Sequence, residues 1–256
     1  MSGSRSSRRT NHTRTGVLTD DVRSQIERMI VAGKIAAGQK LNANAFAKTL
    51  GVSRSPVREA LRALEQAGLA QSIPNRGVFV RILDLPEALE LYDVRIGLAR
   101  QAGRLLASRA TRDQLTELNG LYGEMGRALD RQDADRYHAT NLVFHTRLME
   151  CTGNRWLFAI DERIKKQLLL FLRKGISGPA QLRMSHADHR AILDAVAMGD
   201  AEAAAAAYER HSITGRQRML DTVGREHDTM AAPSGVRRSR ASGRPRGKRL
   251  AGRVEA

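Results

Sequence analysis

The chain is poor in residues on which several kinds of protein depend. It has a single cysteine, Cys151, which cannot close an internal disulfide, fits a reducing cytoplasm, and reads as a semi-buried structural thiol. Aromatic residues make up 4% of the chain, too few to build the stacking platforms that read single-stranded DNA or RNA. No apolar run approaches membrane-spanning length. The N-terminus carries arginines but no apolar segment behind them, so no secretory signal is expected and the reading is cytoplasmic. Acids are outnumbered: 27 stand against 43 lysines and arginines, a formal charge of +16 over 256 residues. That balance points to a polyanionic partner, and the length fits two modest domains.

The most informative stretch that is present runs GVSRSPVREALRALEQAGLAQSIPNRGVFV, from Gly51 to Val80. Ser55 is a good N-cap and Pro56 suits a first helical position. Val57, Ala60, Leu61, Leu64 and Ala67 then recur at helical spacing, while Arg58 and Arg62 share a different face. Gly68 ends the helix. Two short apolar runs follow, separated by Pro74-Asn75-Arg76-Gly77, which is turn chemistry between strands. A second short helix, Ala43 to Leu50, precedes the Gly51 turn. An amphipathic helix from about Asp20 to Ala32 places Val22, Ile26 and Ile30 on one side. Three helices and a hairpin form a winged helix-turn-helix, whose recognition helix suits the major groove of double-stranded DNA.

These residues resemble the GntR family of bacterial transcription regulators. The resemblance covers KIAAGQKLNANAFAKTLGVSRSPVREALRALEQAGLAQSIPNRGVFV, including the Gly-X-X-Leu segment, Gly-Val-Ser-Arg-X-Pro-Val-Arg-Glu-Ala-Leu and the Asn-Arg-Gly wing. It implies that Arg54 and Arg58 contact bases or phosphates and that Ser53 and Ser55 contact phosphates. Arg76 and Gly77 would bring the wing onto the DNA. At the start of the second helix, where the family often carries arginine or glutamate, this chain has Asn44, which can still bond a phosphate.

Residues 1–15 are rich in serine and arginine and are expected to be disordered, as is the basic tail 224–256. The DNA-binding domain spans 16–83. From 84 to 223 the chain reads as helix after helix. Asp84-Leu85-Pro86-Glu87 opens a helix to about Arg109, Thr111 the next to about Arg131, and Asp133 a third through Cys151. Gly153-Asn154 precedes a fourth, to about Lys174. Ser177-Gly178-Pro179 precedes a fifth, to about Met198, and Gly199-Asp200 a sixth. No strand pattern intervenes, so the fold is mainly α, with a C-terminal antiparallel bundle of about six helices.

Within that bundle Asn141 and His145 lie four apart on one helix, His189 lies on the fifth helix and His211 on the sixth. By spacing alone, histidines scattered on helices are more often core or surface residues than ligands. The bundle, however, resembles the FCD ligand-binding domain of the FadR branch of the family. Asn141, Phe144-His145, Asp188-His189 and His211 match its metal-binding pattern. The resemblance implies one divalent metal ion per protomer (Zn, Ni or Mn) held by Asn141, His145, His189 and His211. Asn141 is neutral where aspartate is common, and Arg95-Ile96-Gly97-Leu98-Ala99 lacks the glutamate usual after Arg-X-X-Leu. His186 is off the pattern and reads as surface. A cation with open positions beside a guanidinium is a carboxylate receptor. Arg95 is the first choice for that fork, followed by Arg147 and Arg163, and the effector is a small organic acid.

The expected function is therefore a homodimeric regulator, a repressor of transcription, that binds a palindromic operator and responds to a small carboxylate effector. Two alternatives come from other classes. A metal-dependent hydrolase fused to a DNA-binding module would need a general base beside the histidines, and no His-Glu-X-X-His offers one. A nucleoid-type protein binding by charge alone would not need a recognition helix. In the tail, SGRPRGKR resembles the AT-hook pattern of minor-groove binders; a plain electrostatic tether is the simpler reading.

Overall fold

Hydrogen-bonded caps set the frame of the bundle. Asp84 accepts from the Glu87 N–H, Thr111 and Gln114 form a reciprocal capping box, and Asp133 accepts from the Arg136 N–H. Asp200 accepts from the Ala203 N–H. Each satisfies backbone donors that the first turn of a helix leaves free. The structure, a computed structural model, describes residues 6–171 and 178–231. In chain order its elements are α1 (Ser6–Val31), α2 (Ala43–Leu50), α3 (Arg54–Gln66), β1 (Ala70–Ile73), β2 (Gly77–Val80), α4 (Leu85–Arg109), α5 (Arg112–Asp130), α6 (Ala134–Cys151), α7 (Arg155–Phe171), α8 (Pro179–Ala197) and α9 (Ala201–Ala231).

The first half is the expected winged helix-turn-helix. Val57, Ala60, Leu61 and Leu64 of α3 are buried against Val22, Ile26 and Ile30 of α1 in one core. β1 and β2 pair antiparallel, with Ala70 opposite Val80 and Ile73 opposite Gly77. Lys40 bridges to Phe79 on the outer edge of the hairpin. Two sequence expectations shift here. The N-cap of α3 is Ser53 rather than Ser55, and Pro56 is buried inside the first turn. The reason is backbone: Ser53 is extended (φ −71°, ψ 166°), so the helix begins at Arg54, a position that Pro56 tolerates because first-turn N–H groups lack intrahelical partners anyway. Helix α1 also begins at Ser6, well before Asp20.

α4 to α9 make up the helical bundle, six helices as expected, with α9 continuing to Ala231 past the expected end near 222. Tyr137, Phe144, Leu148, Ile192, Leu193 and Tyr208 sit in its main core, and Cys151 is buried among them. The α4–α9 seam is closed by small residues: Ala99 and Ala102 face Ala204 and Ala205 with no exposed surface to speak of. A Cβ on Gly103 would lie 2.4 Å from the Ala204 carbonyl oxygen, so only glycine allows this approach. The AT-hook-like segment and the rest of 232–256 lie outside the described residues, as do 1–5 and 172–177.

Helix α7 joins the two halves. Leu170 is buried in the core of the DNA-binding half. Lys166 pairs with Glu27 of α1 at 2.6 Å. The Gln167 amide donates to the Ala67 carbonyl at 3.1 Å and accepts from Arg81 at 3.1 Å. Ala67 is the C-cap of α3. Gly68 follows with φ +76°, and a Cβ there would meet the Gln167 side chain at 2.7 Å.

Candidate metal centre and nucleic-acid interface

On the DNA-binding half, Asn44, Ser53, Arg54, Ser55, Arg58, Arg76 and Gly77 are all exposed. Asn44 is not the cap of α2; Asn42 is, and its side chain accepts from the Asn44 and Ala45 N–H groups, leaving the Asn44 side chain at the surface. Of the three exposed arginines on α3, Arg62 is tied to Glu59 at 2.8 Å, whereas no ion pair holds Arg54 or Arg58 among the described residues. The wing has a second cation that sequence reasoning missed. Lys40 and Arg76 flank the Phe79 ring at 5.8 and 5.7 Å from its centre. Gly77 has φ +105°, and a Cβ there would meet the Lys40 stem at 3.2 Å, so glycine serves the turn and the packing of Lys40 together.

In the bundle, α6, α8 and α9 bring His145, His189 and His211 to one point. His145 Nε2 stands 3.2 Å from both His189 Nε2 and His211 Nε2. Three nitrogens bound at 2.0–2.1 Å to one tetrahedral zinc would stand about 3.3–3.4 Å apart, so the spacing fits a shared divalent ion. All three rings are buried. Burial, reinforced by the neighbouring imidazoles, holds His145 and His189 well below the ordinary imidazole range. Burial also lowers His211, against the opposing pull of Asp188. Neutral imidazoles are the metal-binding form. His211 Nδ1 faces Asp188 Oδ2 at 3.4 Å, a carboxylate placed to orient a ligating histidine. One turn before His145, Asn141 has a buried Oδ1 with no hydrogen-bond partner among the described residues, an acceptor available to a cation.

The histidines border a cavity of about 330 Å³, with His145, His211 and Asn141 in its wall together with Arg95, Lys165 and Arg218. Its size and mixed polar and apolar lining suit a small metabolite. Arg95 is there as expected, but Asp161 already takes its Nε at 3.2 Å. Burial works against the charge of Arg95, and Asp161 with the nearby tyrosines more than restores it, so it stays cationic. Lys165 is buried and bonds Glu162 and the Thr146 hydroxyl.

Comparison with known proteins agrees with this architecture. Residues 18–80 match the family described as bacterial regulatory proteins, gntR family, and residues 90–214 match the FCD domain. The chain is 31% identical over 183 residues to an uncharacterized HTH-type transcriptional regulator, YdhC, of Bacillus subtilis (strain 168), covering 71% of this chain and 81% of that one. The chain belongs to the GntR family of transcription regulators, with an FCD domain. A second relative in the GntR group is 30% identical over 199 residues, covering 78% of this chain and 87% of its own length. It is named as a probable D-xylose utilization operon transcriptional repressor of Paenarthrobacter nicotinovorans. Among solved structures, E. coli McbR/YncC superposes with a TM-score of 0.66 at 22% identity, over 83% of this chain and 98% of that one, a likeness of fold. The relatives regulate transcription, and this GntR chain is a regulator rather than an enzyme.

Three lesser expectations do not hold in this FCD domain. Arg147 pairs with Glu117 and Glu150 away from the cavity. Arg163 lines a separate apolar groove with Leu91, Trp156 and Ile160. His186 is not a free surface residue: it stacks on Tyr122 with ring centres 3.9 Å apart and planes 7° from parallel. Sequence reasoning missed Lys165 and Arg218. For Arg218 a signal existed, because it lies seven residues after His211 and so on the same face of α9.

Proposed function

We propose that this protein is a homodimeric repressor that binds a palindromic operator and is controlled by a small carboxylate bound at a metal centre in its FCD domain. His145, His189 and His211, with Asn141, would hold one divalent ion (Zn, Ni or Mn), which when bound would supply a Lewis-acid site for the acid's carboxylate. Arg95 assists the acid from α4. Arg54 and Arg58 enter the major groove, Ser53, Ser55 and Asn44 engage phosphates, and Arg76 with Gly77 brings the wing alongside. The repressor role is supported by the D-xylose relative's name, and the bacterial cytoplasm is where such a regulator meets DNA.

The observation that carries this reading is the path of α7. One side of that helix gives Lys165 and Leu168 to the cavity wall, and its Gln167 and Leu170 engage the end of the recognition helix and the core beneath it. A ligand that moves α7 therefore moves α3. A second surface supports the dimer: Trp156 (69% exposed), Ile160 and Val94 form an apolar face on α7 and α4, the composition expected of a helix pair that packs on its symmetry mate.

An operator selected from random DNA by the metal-loaded protein tests the whole reading. The expected site is a palindrome with half-sites about one helical turn apart, bound by two protomers. Elemental analysis should find one divalent ion per chain, reduced in His145→Ala, His189→Ala and His211→Ala while operator binding persists. A single half-site bound by one chain, or full metal content in the three variants, would overturn the corresponding part.

A further inference from the structure

Arg218 and the charge balance of the cavity say more about the acid. Three cations line the cavity, Arg95, Lys165 and Arg218. Each has a carboxylate near it: Asp161 on Arg95, Glu162 on Lys165, and Asp188 3.9 Å from Arg218 Nη1. Without a metal these six groups cancel. The metal-facing side chains add nothing, because the three imidazoles are neutral and Asn141 supplies an amide where a carboxylate would have brought a negative charge. A bound divalent ion therefore leaves two positive charges uncompensated inside a half-apolar cavity. Unpaired buried charge is among the most unfavourable arrangements in a protein interior.

The three cations are not equally free. Arg95 gives its Nε to Asp161, and Lys165 is held by Glu162 and Thr146. Arg218 Nη1 is buried and has no hydrogen-bond partner among the described residues. Asp188 stands beyond hydrogen-bond distance from it and shares its oxygen with His211. Burial pulls the guanidinium below the usual arginine range and Asp188 resists that pull. A buried donor that stays unpaired is costly, so the site is built to receive an acceptor there.

We propose that the ligand is a dianion, a small dicarboxylate, with one carboxylate on the metal and the other on Arg218, and that metal and dicarboxylate each strengthen the binding of the other. This rests on the metal-and-carboxylate reading above and narrows it. A monocarboxylate would leave one positive charge unbalanced and Arg218 unsatisfied. The reciprocal strengthening follows from linkage: whatever the acid does for the metal, the metal does equally for the acid.

The test uses the full chain, stripped of metal by a chelator and titrated with zinc in a calorimeter. Runs contain succinate, fumarate, malate or glutarate, or else acetate or lactate at equal carboxylate concentration, corrected for zinc–acid complexes in the buffer. At least one dicarboxylate should tighten zinc binding about tenfold, and the monocarboxylates no more than about twofold. Arg218→Gln should abolish the dicarboxylate gain without weakening zinc binding in acid-free buffer, since it takes a positive charge away from the site. Asn141→Asp should tighten zinc in acid-free buffer and shrink the gain, because it supplies one of the two missing negative charges; this arm decides the matter even where Arg218→Gln folds poorly. Zinc binding that responds alike to mono- and dicarboxylates overturns the dianion and leaves the metal centre standing. Failure to bind zinc, nickel or manganese with any acid overturns the metal centre itself, and the dianion with it.

Discussion

The two halves of this regulator hold their functional residues in opposite ways. On the recognition helix, Ser53, Arg54, Ser55 and Arg58 stand within six residues of sequence and point outward. In the bundle, His189 and His211 lie 44 and 66 residues after His145 in the chain, and all three are buried. A surface that reads DNA is written locally, and its residues need only share a face of one helix. A site that encloses a metal and a metabolite has to be assembled from several helices, and its polar groups must be neutral or paired to be buried at all. The candidate DNA face is therefore tolerant of change in the fold beneath it, while the histidine cluster depends on the packing of α6, α8 and α9.

The largest expected effect comes from breaking the bundle without touching either site. Gly103→Leu forces a side chain against the Ala204 carbonyl and should lower stability by about 3 kcal/mol. Denaturant unfolding measures this, and an unchanged midpoint would show that α4 and α9 can separate without loss.

Acid should also act on one half only. His145, His189 and His211 are held below the ordinary imidazole range, chiefly by burial. Below pH 6.5 the unfolded chain takes up protons that the folded bundle refuses. The metal-free protein should thus be fully stable above that pH and lose stability as the pH falls toward the depressed folded values. A drop in Tm of roughly 5 °C between pH 7.5 and 5.5 is the expected scale. There is no histidine between residues 16 and 83, so no imidazole of the winged half takes part in this change. Replacing His189 with Gln should flatten it.

On the DNA side, Arg58→Ala should weaken specific operator binding by about 2 kcal/mol if it reads a base. Arg62→Ala, whose guanidinium is already engaged by Glu59, should change it by less than about 0.5 kcal/mol. Gel shifts on operator and scrambled DNA separate the two, and equal losses on both DNAs would reduce Arg58 to a phosphate contact. A smaller effect than that of Arg58 links the halves. Gln167→Ala should leave zinc affinity and DNA affinity each nearly intact, yet reduce the change in operator affinity that the bound carboxylate produces by about 1 kcal/mol. Full retention of that change would mean α7 is not the connection.

The sequence made the helices legible because their signals are local. Asp84, Thr111 and Asp133 cap the helices they were expected to open, and the apolar spacing of α3 matches its buried face. Ser55 was misplaced as a cap because proline favours the first helical position as a rule, whereas here the extended Ser53 starts the helix two residues sooner. Of the metal centre, spacing alone left His145, His189 and His211 ambiguous, and the family pattern singled them out. Arg218 shares a face of α9 with His211, but among 43 lysines and arginines that spacing alone does not single it out; its place on the cavity wall does. The partner of Gln167 was equally hidden, since nothing in a glutamine on α7 announces a contact with residues 100 positions earlier.

That contact has a bearing on protein engineering. Regulators of this kind invite the construction of sensors in which one protein's DNA-reading half is grafted onto another's ligand-sensing half, and the short connection around Ile82 to Pro86 looks like the place to cut. A graft spliced there would set a foreign helix end against Gln167. Any donor carrying a side chain at the position of Gly68 would collide with that amide at 2.7 Å. A working chimera should therefore take its residues 67, 68 and 81 from the protein that supplies α7, so that the seam follows the joint rather than the linker.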